Sequence, residues 1–151
     1  MDQLVMWIFG FLVLIVLIQF FRFVKRKKIE LEQAFQKRFS GRKILLMDKT
    51  ARIIAQQSHG YSQKVGMGHL VLTSQELYFR MQLLNREISI PAASLLAVGE
   101  TRRMLGKNPL RTMLKVDFKT IDGKEDAIAL IVKDLSNWRA EISKVITNTN
   151  K

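Results

Sequence analysis

Leu4 to Ile18 is an unbroken apolar run that contains one glycine, Gly10. Gln19 and Arg22 interrupt its continuation through Phe20, Phe21, Phe23 and Val24. As a helix, the 21 residues Leu4–Val24 reach ~31 Å at ~1.5 Å per residue, close to the ~30 Å hydrocarbon thickness of a bilayer. Arg22 sits near one end, where a long side chain reaches the headgroups, and Trp7 near the other, where an indole suits the interface. A buried core helix fits poorly, because both faces are apolar. A cleaved signal peptide needs a basic start and a small-residue cleavage site. Here the start carries Asp2, and Phe-Phe-Arg-Phe-Val follows the run. Residues 1–24 therefore read as a retained membrane anchor.

The flanks predict its orientation. Arg22, Lys25, Arg26, Lys27, Lys28, Lys37, Arg38, Arg42 and Lys43 all lie at or beyond the C-terminal end of the run. The positive-inside rule then places the N-terminus outside and the remainder in the cytoplasm, as a single-pass protein. Cysteine is absent. That excludes disulfides, thiol chemistry and cysteine-ligated metal sites, and it fits a reducing compartment.

Residues 25–41 read as a basic juxtamembrane linker helix. They hold no glycine or proline before Gly41, and Leu31, Phe35 and Phe39 make one stripe. Ser40-Gly41 is a helix stop, so the anchor runs on as a stalk.

Beyond Gly41 the period changes to two. Seven short runs follow: Arg52–Gln57, His69–Thr73, Glu76–Gln82, Arg86–Ile90, Leu95–Gly99, Thr112–Ile121 and Glu125–Val132. They predict half-buried antiparallel strands. Asp122-Gly123 predicts a two-residue hairpin turn with positive φ at both positions, and Ser74-Gln75 and Asn85 mark weaker turns. Leu135, Trp138, Ile142, Val145 and Ile146 then recur at helical spacing, with Asp134 and Ser136 as N-cap candidates. Asn148–Lys151 reads as a frayed tail. Strands averaging ~5–6 residues do not build two full sheets here, so a strongly bent sheet or partly open barrel is expected, its open end plugged by the last helix through Trp138. The fold class is α+β, mainly β.

The stretch Gly68-His-Leu-Val-Leu-Thr-Ser-Gln-Glu-Leu-Tyr-Phe79 resembles the Gly-x-Leu-x-Leu-Thr-x-x-x-Leu-x-Phe core of GRAM and bacterial pleckstrin-homology-like domains, through Gly68, Leu70, Leu72, Thr73, Leu77 and Phe79. Ile88-Ser-Ile-Pro91, Leu95–Val98, Leu114–Phe118 and the Trp138 helix look like the family's later elements. The resemblance covers about residues 43–147. It implies a seven-stranded bent barrel capped by a C-terminal helix over residues 42–147, usually a lipid- or protein-binding module and not an enzyme.

The residues themselves offer no reaction. Gly60–Gly68 is glycine-rich with Lys64, but that lysine precedes valine and a strand follows, unlike a phosphate-binding loop. His59 and His69 read as exposed loop histidines; two imidazoles without a carboxylate make no metal site. Glu125 and Asp126 are adjacent in a strand and point to opposite faces, so they form no acid–base pair. No cofactor or metal is expected.

Charge is the remaining signal: 25 basic against 13 acidic residues give a net +12. One group, Lys25, Arg26, Lys27 and Lys28 with Arg42 and Lys43, flanks the membrane. The other, Arg102, Arg103, Lys107 and Arg111, shares the loop Thr101–Arg111 with Met104, Leu105 and Leu110, which are expected to be exposed. Such a loop can dip into an anionic bilayer or dock on an acidic protein. No nucleic-acid motif accompanies the charge. Two readings follow: a membrane-anchored binding module for lipid headgroups or a protein partner, or an accessory subunit of a larger membrane complex whose anchor packs on other helices.

Overall fold

The computed structural model describes residues 3–150, and the chain divides into two compact units that meet at Ser40–Gly41. The first is one continuous helix, α1 (Gln3–Phe39), so the apolar run and the basic linker read from the sequence are a single element. It is the one helix among the described residues long and apolar enough to cross a membrane. Within it, Lys27 pairs with Glu30 at 3.0 Å one turn on, and the Phe35 and Phe39 rings stack at 5.7 Å. Gly41, at φ +75°, takes the left-handed conformation that ends a helix.

The second unit is one antiparallel sheet and a helix: β1 (Ile44–Gln56), β2 (Gly66–Thr73), β3 (Glu76–Met81), β4 (Glu87–Pro91), β5 (Leu95–Thr101), β6 (Met113–Lys119), β7 (Glu125–Ile131) and α2 (Leu135–Thr149). The strand order is β4-β3-β2-β1-β7-β6-β5, which leaves β4 and β5 as the edges. All seven strands read from the sequence are present.

β1 is longer than its sequence signal and bends the sheet. Its first part pairs with β2, and its last five residues also pair with β7. The register slips between Asp48 and Ala51. The Asp48 carboxylate holds this irregularity. Oδ1 accepts from the Thr50 amide at 2.8 Å and its hydroxyl at 2.9 Å. Oδ2 accepts from the Lys133 amide at 2.9 Å, which ties the approach to α2 onto β1. Bulges of this kind increase local twist and turn a flat sheet into a bent one.

The core lies inside the bend, built from Leu70, Leu72, Leu77, Phe79, Leu114, Leu130 and others. α2 presents Trp138, Ile142 and Val145 to it, as expected. Asp134 is the N-cap and accepts from the Asn137 amide at 3.1 Å. Ser136 lies inside the helix and donates to Asp134 instead. α2 continues to Thr149, so the segment read as a frayed tail is helical up to that point; Lys151 lies outside the described residues.

Every residue of the Gly68–Phe79 pattern has a structural task. Leu70, Leu72, Leu77 and Phe79 are core. A Cβ on Gly68 would collide with the Arg80 carbonyl and sit 2.9 Å from Cζ of Phe79. The Thr73 hydroxyl accepts from the Glu76 amide at 3.1 Å and the Gln75 amide at 3.2 Å, closing the β2–β3 turn.

The β6–β7 turn differs from expectation. Gly123 alone has positive φ, at +76°. The Gly123 amide donates to Thr120 O at 2.9 Å, and the Thr120 amide to Lys124 O at 2.8 Å. This is a three-residue connection with glycine at its left-handed position, which lets Asp122 keep an ordinary backbone.

Candidate functional site: the β5–β6 loop

The loop after β5 has a rigid base and a free outer limb. The Thr101 hydroxyl accepts from the Arg103 amide and donates to the Arg103 carbonyl. Met104 and Lys107 then exchange both backbone hydrogen bonds, at 3.0 and 2.9 Å. Between them Leu105 (φ +48°) and Gly106 (φ +72°) make a tight turn with two left-handed residues. Glycine adopts that backbone freely; leucine does so under strain.

Packing supports that strained turn. Met104 is buried in a second cluster with Ile54, Ala55, Met113, Ala127 and Ala129, and Leu105 packs against it half-buried. The expectation of an exposed Met104 is corrected here: the loop folds back over the outer face of β1 and β7 and covers their small alanines. The Lys107 ammonium donates to Ile54 O and Gln63 O, each at 3.2 Å. It fastens the loop to the end of β1 and to the β1–β2 connection.

The outer limb, Asn108–Thr112, is different. Together with Arg102 it lines a hollow of about 380 Å³. Leu110 is fully exposed. Arg102, Arg103 and Arg111 are exposed, and no described carboxylate pairs with them. Other cations in the same unit are matched, Arg42 to Glu76 and Arg139 to Glu100, each at 2.9 Å.

The cations named from the sequence therefore fall into separate sets. Arg102, Arg103 and Arg111 remain together on one loop, while Lys107 is engaged by backbone carbonyls. Arg42 is held by Glu76, and Lys43 is exposed beside it. Lys25, Arg26 and Lys28 are exposed on α1, where Lys27 pairs with Glu30.

A second concavity, about 460 Å³, lies between β4 and the β6–β7 hairpin, and sequence reasoning missed its polar floor. Asp126 is buried there and accepts from Gln56 Nε2 (2.8 Å), the Ser58 hydroxyl (2.6 Å), the Ser58 amide (2.9 Å) and its neighbour's amide at Ala127 (2.8 Å). Burial pushes the Asp126 carboxyl up, but the bonds from Gln56, Ser58 and the two amides outweigh it and hold it below its ordinary value. Gln56 Oε1 in turn accepts from Arg86 at 2.9 Å. Burial lowers the Arg86 guanidinium from its ordinary value, though an arginine stays charged.

This network builds structure: it holds the Gln57–His59 turn onto β7. The Ser58 hydroxyl lies 3.2 Å from His59 Nδ1, but it is also bound to Asp126. His59 is an exposed residue of that turn, as expected, but the expectation of an exposed loop position for His69 is corrected: it lies buried within β2 opposite Arg80, because β2 starts at Gly66. No group of three or more metal-ligating side chains occurs among the described residues. Gly66 and Gly68 belong to β2 and do not open a helix.

Neither a family model nor a curated protein matches this sequence. Among solved structures, a chain in "The 8S snRNP Assembly Intermediate" is similar in fold. Its TM-score is 0.50 at 15% identity, over 70% of this chain and 80% of that one. The C-terminal domain of an unknown protein from Leishmania infantum gives 0.48 at 17% identity, over 80% of this chain and 98% of that one. At such identity the first likeness concerns the fold alone.

Proposed function

We propose that this is a non-catalytic, single-pass membrane protein whose PH/GRAM-like domain reads anionic lipid headgroups through the β5–β6 loop. One observation carries the reading: Leu110 stands fully exposed between Arg102 and Arg111, whose charges no described carboxylate neutralises. An apolar tip flanked by cations suits the boundary between headgroups and acyl chains. Each basic residue near an anionic surface contributes about 1 kcal/mol. The rigid base, fastened by Lys107 and Met104, presents this tip with little ordering cost. The domain assignment is supported by the strand order, the capping α2 and the tasks of Gly68 and Thr73. A cytoplasmic location of the domain is supported by the basic residues that follow the apolar run. The absence of a catalytic role is supported at Ser58: the carboxylate that accepts its hydroxyl, Asp126, is held below its ordinary value and is a weak base.

The test uses full-length protein in mild detergent, titrated with mixed micelles carrying phosphatidylserine or only phosphatidylcholine. Binding is expected to require the anionic lipid and to weaken with salt. Arg102→Glu with Arg111→Glu is expected to weaken it more than tenfold, since losing two attractions of that size and adding repulsion exceeds the ~1.4 kcal/mol of one decade. Equal binding to neutral micelles, or an unaffected double variant, contradicts the reading. A protein that co-purifies through the same arginines would transfer the loop to an acidic partner.

A further inference from the structure

We infer that α1 pairs in parallel with α1 of a second copy of this chain, through a seam centred on Gln19. This rests on the reading of α1 as a membrane anchor. Gln19 directly follows the unbroken run Leu4–Ile18 and lies five residues inside the C-terminal end of the Leu4–Val24 span. Its carboxamide carries two donors and an acceptor. It is exposed on α1, and no described group hydrogen-bonds to it. In hydrocarbon no water can satisfy those atoms, so an isolated Gln19 is costly.

The same face of the helix tells what satisfies it. Leu12, Val16, Gln19, Phe23, Arg26 and Glu30 recur in alternating steps of four and three, the spacing of a two-helix seam, at about 100° per residue. Leu31, Phe35 and Phe39 fall on roughly the opposite face by the same rule, so this seam is separate from the stalk's apolar stripe. Identical chains inserted the same way run parallel. About a twofold axis, the carboxamide of each Gln19 donates to and accepts from the other, because the group is its own complement. One turn beyond Phe23 the seam carries Arg26 and then Glu30. Arg26 of each copy thus lies one turn from Glu30 of the other, a carboxylate that within its own helix pairs with Lys27 at 3.0 Å, inside a segment that is otherwise strongly basic. A different protein would have to supply both the matching polar group and the matching charge pair; a second copy supplies them by symmetry.

The chain has no cysteine, so single cysteines report position cleanly. Full-length Val16→Cys and Phe23→Cys, with Leu14→Cys and Phe21→Cys as off-seam positions, are oxidised in native membranes after checking that each resists alkaline-carbonate extraction. Seam positions are expected to give at least fivefold more disulfide-linked species of twice the chain mass. Adding Gln19→Leu is expected to reduce that yield at least fivefold, and Gln19→Asn to preserve most of it. Carbonate-resistant protein that cross-links nowhere, or equally at all four positions, overturns the pairing and leaves the anchor standing. Cross-links only to a chain of different mass overturn the second copy as occupant. Release by carbonate overturns the anchor and the pairing with it.

Discussion

Replacing Asp126 with alanine removes the acceptor for four hydrogen bonds. Their donors differ in what they lose. Gln56 is 8% exposed and Ala127 1%, so neither donor finds water easily. A buried donor left unsatisfied costs about 1–3 kcal/mol. Ser58 is exposed and can turn to solvent, adding little. The total is about 3 kcal/mol, a large share of the ~5–15 kcal/mol that stabilises a domain. Asp126→Asn keeps one oxygen for the two amides but sets an NH₂ against the Gln56 NH₂; the Ser58 hydroxyl can turn to accept, but Gln56 cannot reverse its amide without losing Arg86. A loss of about 1–2 kcal/mol is expected by the same reasoning. Urea unfolding of the full chain in mild detergent, followed by Trp138 fluorescence with Trp7→Phe, reads both. The pH dependence has a defined sign. The folded carboxyl is held below its ordinary value, so its contribution is complete above the unfolded pKa of about 3.9 and is lost as pH falls through the lower folded one. The gap between native chain and Asp126→Asn should be constant from about pH 5 to 8 and shrink below about pH 4. A loss under 0.5 kcal/mol for Asp126→Ala, taking ~0.5 kcal/mol as the span of ordinary surface changes, or a gap that grows in acid, refutes the reasoning.

Other substitutions test the frame around the site. Gly68→Ala forces the β2 backbone away from Arg80, and the domain is expected not to fold; normal expression with native circular dichroism would count against the close approach. Trp138→Ala empties the largest side chain that α2 gives to the core and should lower stability by about 3–5 kcal/mol, read as a lowered urea midpoint followed by far-ultraviolet circular dichroism.

The strands and the capping helix were legible because alternation and helical spacing report burial directly. β1 was legible only over its last part. The Asp-Lys-Thr that precedes it is a bulge held by Asp48, and its distant partner, the Lys133 amide, leaves no local trace. The hairpin was placed correctly, but the turn type depends on where Thr120 and Lys124 bond and not on Asp-Gly alone. In the β5–β6 loop the arginines and Leu110 were legible as a basic, apolar-tipped segment. The burial of Met104 was not, because it answers a patch of alanines on β1 and β7 that only the folded sheet assembles. Asp126 was hidden for a related reason: an acidic residue at a strand start looks solvated until Gln56 and Ser58 arrive from about 70 residues away.

The most direct measurement places an environment-sensitive fluorophore at Leu110→Cys in the full-length protein, reconstituted into vesicles with and without anionic lipid. Headgroup binding by the β5–β6 loop predicts blue-shifted emission and quenching by lipid-borne bromine only in the anionic vesicles, with both reversed by salt and by Arg102→Glu with Arg111→Glu. Emission that stays water-like in both vesicle types would contradict it.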